Sequence, residues 1–117
     1  MSAWVWAGVA LLGGAGAVAR FVIDSLISVR SDQALPLGTL IVNVSGAFVL
    51  GLLTGLNLMG NTLLLVGTAT IGAYTTFSTW MLETHRLAED RAHRVAVVNV
   101  VLSLVAGLVA AALGRAI

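Results

Sequence analysis

The sequence predicts an all-α integral membrane protein with four transmembrane helices, and three observations predict it. Hydrophobic residues make up 59% of the 117-residue chain. Charged residues make up only 9%, against about 25% in a soluble domain, so there is too little polar surface to coat a water-soluble globule. The charges are also confined: no Asp, Glu, Lys or Arg occurs in residues 2–19, 33–82 or 95–114. A membrane-spanning helix needs about 20 mostly apolar residues. The middle run therefore suits two spans and the outer runs one each.

Span one is read over residues 3–28. No Lys or Arg precedes its apolar stretch, which runs on through Phe21, Val22 and Ile23, so a cleaved signal peptide is a poor reading. The connection that follows holds Arg30 and Asp32 and ends before Pro36, a residue suited to a helix start. Span two covers residues 37–58, and the turn Met59-Gly60-Asn61 leads into span three, residues 62–86. A polar stretch to Arg94 precedes span four, residues 95–113. The whole is one four-helix domain, with both termini on one side of the membrane. Gly51 and Gly55 form a GxxxG pair on span two, which lets helices approach closely in lipid; the spacing fits packing within a subunit or between two.

Polar residues at membrane depth are costly and mark pairs, cavities or pathways. Arg20 and Asp24 stand at i and i+4 late in span one, placed for an ion pair near the interface or for lining a cavity. Asn43 lies two turns into span two, with Thr39 one turn before it on the same face. It offers two N–H donors and one acceptor, to a neighbouring helix or to an ion. Span three reads Gly67 to Trp80 as a run of Gly, Ser and Thr in which Gly72 and the β-branched threonines weaken the helix. A broken helix at this depth is tolerated where it is buried or lines a cavity. Glu83 follows one turn after Thr79. In span four, Asn99 and Ser103 share a face, with Ser103 expected to bond back to its own helix.

Catalytic constellations are missing from the sequence. There is no Ser/His/Asp set, no phosphate or dinucleotide fingerprint, no Cys, and no third ligand at a usual spacing for His85 and His93. The net charge of +1 gives no reason to expect nucleic acid.

Three segments together resemble the Fluc/CrcB family of fluoride channels. They are Gly13-Gly14-Ala15-Gly16-Ala17-Val18-Ala19-Arg20-Phe21, Pro36-Leu37-Gly38-Thr39-Leu40-Ile41-Val42-Asn43-Val44-Ser45-Gly46, and Thr75-Thr76-Phe77-Ser78-Thr79-Trp80 with Glu83 after it. They fall in the family's order on spans one, two and three. The resemblance implies a dual-topology architecture, in which two oppositely inserted subunits form an antiparallel dimer with two pores. It implies that Asn43 is the pore asparagine, that Phe77 and Trp80 stand at the two pore phenylalanines, and that Thr39, Ser78 and Thr79 belong to a polar track. Arg20 matches the span-one arginine and Glu83 the vestibule carboxylate. Gly72 and Thr75 match the positions whose carbonyls hold a structural sodium ion at the dimer centre. The chain departs from the family pattern at Trp80, usually Phe, and at Asn99, often Tyr.

The residues fit that chemistry. Fluoride is small and holds water tightly, so a selective pore must replace the water with donors. Asn43 and the hydroxyls donate, and the positive edge of an aromatic ring can touch an anion in a dry constriction. Selectivity then follows from pore width and donor placement, and transport is passive. Arg30, Arg86, Arg91 and Arg94 lie on one side and Arg115 on the other, a bias that the positive-inside rule reads as a preferred orientation. The partner is then either a second copy or an oppositely inserted paralogue, within membrane lipid. Two rivals remain at this stage. One is a proton-coupled exporter like the small multidrug resistance proteins, which need a carboxylate in mid-span one where this chain has the late Asp24. The other is a non-transporting assembly subunit, which gives the Thr75–Trp80 stretch no purpose.

Overall fold

The computed structural model describes residues 2–30 and 35–117; Asp32, expected in the first connection, lies outside them. The described residues are helical almost throughout. Helix α1 spans Ala3–Arg30, α2 Leu37–Gly55, α5 Phe77–Glu89 and α6 His93–Ala116. Between α2 and α5 stand a short turn, α3 (Gly60–Thr62), a π-helix over Leu63–Ile71, and one further turn, α4 (Gly72–Tyr74). Helices α1, α2 and α6 are long and apolar enough to cross a membrane. The shortest, α2, has 19 residues and so is about 28 Å long, close to the hydrocarbon thickness of about 30 Å.

Boundaries move from the sequence reading for identifiable reasons. Helix α2 stops at Gly55 rather than 58, because Asn57 adopts a left-handed conformation (φ 59°) and turns the chain before Met59. Gly60 supplies a second positive φ of 63° in the same turn. Helix α1 runs on to Arg30, and α6 extends past both expected ends to cover His93–Ala116. Arg91, at φ 60°, makes the turn between α5 and α6. Pro36 precedes α2 as expected, and its carbonyl accepts from Leu40 N at 3.2 Å.

The segment read as span three is broken. Gly72 itself stays helical (φ −60°, ψ −39°). The break comes at Thr75 (φ −82°, ψ 162°) and Thr76 (φ −147°, ψ 121°), where the backbone is extended. Thr76 then caps α5, its Oγ1 accepting from Thr79 N at 3.2 Å, which is the preferred role of a threonine in extended backbone before a helix.

Packing rests on close backbone approach. Helix α2 lies against α6: a Cβ at Gly51 would strike the Ala111 carbonyl, and one at Gly114 the Phe48 carbonyl. The GxxxG pair therefore serves packing within the chain, Gly55 likewise meeting the Arg115 backbone. Helix α1 covers the π-helix and α4, with Gly16 pressed on the Thr70 carbonyl. Large apolar side chains such as Leu11, Phe21 and Leu108 point outward, as expected of surfaces facing lipid.

Candidate functional site

The break at Thr75–Thr76 frees backbone groups that need partners wherever they are shielded from water. Asn43, from α2, satisfies both polar groups of Thr76. Its Oδ1 accepts from Thr76 N at 2.8 Å, and its Nδ2 donates to the Thr76 carbonyl at 2.8 Å. A side-chain amide carries both the donor and the acceptor needed to engage the N–H and C=O of one residue, and it keeps one N–H in reserve. Asn43 is thus first a clamp on the broken helix, the neighbouring-helix option that the sequence left open.

The clamp has a consequence for two carbonyls. In an unbroken helix Thr76 N–H would serve Gly72 O, and Thr79 N–H would serve Thr75 O. Both donors are diverted, the first to Asn43 Oδ1 and the second to Thr76 Oγ1. The carbonyls of Gly72 and Thr75 are left without their helical partners.

Beside the clamp lies a cavity of about 190 Å³, lined by Arg20, Phe21, Asp24, Thr39, Val42, Thr76 and Thr79. Thr39 is 2% exposed, and its Oγ1 stands against the Glu83 carboxylate. Glu83 also neighbours Asp24, and among the described residues its buried Oε1 has no partner. Arg20 and Asp24 both line the cavity but form no ion pair with each other: within the described residues, the carboxylate of Asp24 instead accepts from Ser28 Oγ at 3.3 Å and packs against Gly38 at the start of α2. The i, i+4 spacing is therefore spent on placing a guanidinium and a carboxylate separately at the cavity wall.

The aromatic pair sits on the first turn of α5. The Phe77 and Trp80 rings meet edge to face, with centroids 5.7 Å apart and planes at 86°. Phe77 is 70% exposed and points away from the cavity. Ser78 is also exposed, its Oγ 3.4 Å from Thr76 Oγ1. Trp80 Nε1 donates to the Asn99 carbonyl at 3.3 Å. Ser103 corrects an expectation: its Oγ is buried with no partner rather than bonded back to α6.

Of the residues singled out from sequence, Arg20, Thr39 and Thr79 share the cavity, with Glu83 beside it. Asn43 reaches the cavity through Thr76. Phe77 and Ser78 face outward, and Trp80 lies between Phe77 and α6. Sequence reading assigned no role to Phe21, Val42 or Thr76. The signal for Thr76 was its place immediately before the helical stretch from Phe77, since threonine is among the residues favoured at an N-cap.

Residues 7–115 match the family model described as CrcB-like protein, Camphor Resistance (CrcB). The chain belongs to the CrcB family. Curated relatives agree with that membership over nearly the whole length. The chain is 57% identical over 111 residues to a protein of Mycolicibacterium paratuberculosis named Fluoride-specific ion channel FluC 2, covering 95% of this chain and 91% of that one. It is 53% identical to a protein of the same name from Mycobacterium tuberculosis strain H37Rv, covering 95% and 88%. It is 45% identical to Fluoride-specific ion channel FluC 1 of Symbiobacterium thermophilum, covering 97% and 95%. With three helices among the described residues long and apolar enough to cross a membrane, and relatives named as ion channels, this CrcB-family chain is a multi-pass protein of the plasma membrane.

Proposed function

We propose that the chain is a subunit of a fluoride-selective channel that lets the ion leave the cell passively and so relieves fluoride toxicity. The observation that carries this reading is near full-length similarity to proteins named fluoride-specific ion channels, on a chain whose third apolar segment breaks between an asparagine clamp and an edge-to-face aromatic pair. In this reading residues 60–89 make the fourth crossing, as two half-helices around Thr75–Thr76.

The parts have separable tasks. Arg20 at the cavity wall draws the anion in, and the buried Thr39 hydroxyl, which stands against the Glu83 carboxylate, turns to donate to it. The reserve N–H of Asn43 and the hydroxyls of Thr79 and Ser78 continue the line of donors. Phe77 and Trp80 then offer ring edges where water is excluded. Glu83 marks the mouth. None of these groups forms or breaks a covalent bond, so the process is conduction rather than catalysis.

Two further elements belong to the proposal. The exposure of Phe77 and the open apolar groove of about 580 Å³ between α2 and α6 support completion of the pore by an antiparallel partner subunit, either a second copy or an oppositely inserted paralogue. The diverted donors at Gly72 and Thr75 leave carbonyl oxygens of the kind that hard cations take, which supports a structural sodium ion there, supplying fixed positive charge at the dimer centre.

The test is efflux from liposomes holding the purified protein, followed with a fluoride electrode and, in parallel, a chloride electrode. Rapid fluoride loss with little chloride loss is expected. Vesicles as tight to fluoride as protein-free ones would defeat the reading. Proton movement driven by an organic cation, abolished by Asp24→Asn, would move the chain to the exporter class.

A further inference from the structure

An indole differs from a phenyl ring in carrying an N–H, which needs an acceptor once it is packed away from water. Trp80 finds its acceptor on the neighbouring helix, the Asn99 carbonyl at 3.3 Å. The Asn99 side chain, in a residue only 1% exposed, donates from Nδ2 to Thr84 Oγ1 at 2.9 Å. Thr84 Oγ1 donates in turn to the Trp80 carbonyl at 2.8 Å. The three bonds form a closed circuit from α5 to α6 and back, with the indole at one corner. Phe77 has no such tether, being 70% exposed and touching Trp80 only by ring contact. One ring of the pair is therefore fixed by hydrogen bonds, and the other takes its place against it.

Resting on the channel reading above, we infer that Asn99 and Thr84 are positioning residues: their side-chain bonds fix α6 against the α5 backbone and so hold the Asn99 carbonyl where the Trp80 N–H reaches it, keeping the Trp80 edge in register with Phe77, and this fixed geometry sets the discrimination of fluoride from larger halides. Turning the indole breaks its N–H bond to α6. A ring free to turn presents its negative face as well as its positive edge. It also leaves an opening of variable width. Both changes lower fluoride passage relative to chloride.

Two measurements test this. Trp4, Trp6 and Trp80 are the only tryptophans, so Trp4→Phe with Trp6→Phe leaves Trp80 as the sole fluorophore. Its time-resolved anisotropy should show little nanosecond wobble, and Asn99→Leu or Thr84→Val should each add a fast decay. The second measurement is the fluoride-over-chloride permeability ratio in liposomes. Each substitution should lower it about fivefold, the factor set by one hydrogen bond of ordinary net strength. In a Trp80→Phe background, which has no N–H to tether, the same substitutions should shift the ratio by less than about twofold. A mere packing defect would act equally in both backgrounds. Equal effects there, or an anisotropy decay indifferent to both substitutions, overturns the inference. Thr84→Val keeps the side-chain shape and carries the test should Asn99→Leu not fold. A parent chain that passes no fluoride defeats the channel reading, whereas the anisotropy decides the tether on its own.

Discussion

Replacing Asn43 by Leu removes both bonds to Thr76 while nearly conserving side-chain volume. Interhelical hydrogen bonds in membrane proteins average about 0.6 kcal/mol, with an upper end near 1.7. Two bonds at the average give about 1.2 kcal/mol, and two at the upper end about 3.4. The upper end applies here. Thr76 is 8% exposed, and both of its backbone groups lose their partner together, with no water to replace it. A loss of about 3 kcal/mol corresponds to a shift of more than a hundredfold in the equilibrium between the clamped and unclamped break. The assay is unfolding in mixed micelles, followed by helicity against denaturing detergent, beside fluoride flux from the same preparation. Asn43→Leu should lower the unfolding midpoint clearly and abolish flux. Asn43→Asp keeps an acceptor for Thr76 N but sets a carboxylate against the Thr76 carbonyl, so it should be destabilised as well. An Asn43→Leu protein as stable as the parent, yet without flux, would refute the clamp and leave Asn43 as a pore donor only.

Other perturbations separate the remaining parts. Gly51→Val forces a side chain onto the Ala111 backbone and should cost about 1–3 kcal/mol by overpacking, read as a lower melting temperature in detergent. Gly107→Ala, where an added Cβ meets nothing within 4 Å in the helix α6, should instead stabilise by about 0.4–1 kcal/mol. Phe77→Ile should leave melting nearly unchanged, since the ring is exposed in the single chain, but strongly impair fluoride efflux; unchanged efflux would remove Phe77 from the pathway. Exchanging sodium for a large organic cation on both sides should slow efflux and loosen the proposed dimer on size exclusion, and no change in either would dissociate Gly72 and Thr75 from cation binding.

The sequence was legible where one physical demand acts alone. Charge-free runs located α1, α2 and α6 because lipid tolerates little else, and Pro36 located the start of α2. The Gly/Thr-rich stretch announced a break, but its position depended on a competition that spacing does not show. Gly72 lowers helix propensity, yet the helix ends three residues later, where Thr76 can cap α5 and Asn43 can receive the freed peptide. That outcome needs α2 and α5 to be neighbours, a tertiary fact. The same holds for Arg20 and Asp24. Their spacing permits an ion pair, but the packing of Asp24 on Gly38 takes the carboxylate elsewhere. The tie from Trp80 to Asn99 joins residues 19 apart across two helices and had no local signature.

Anion selectivity at the seam beside the Thr75–Thr76 break is tested most directly by a bi-ionic reversal potential. Purified protein in a planar bilayer is given fluoride on one side and an equal concentration of chloride on the other. The current should reverse far from zero, with the sign and size of a membrane permeable to fluoride alone. A reversal near zero, or one on the chloride side, would contradict that selectivity.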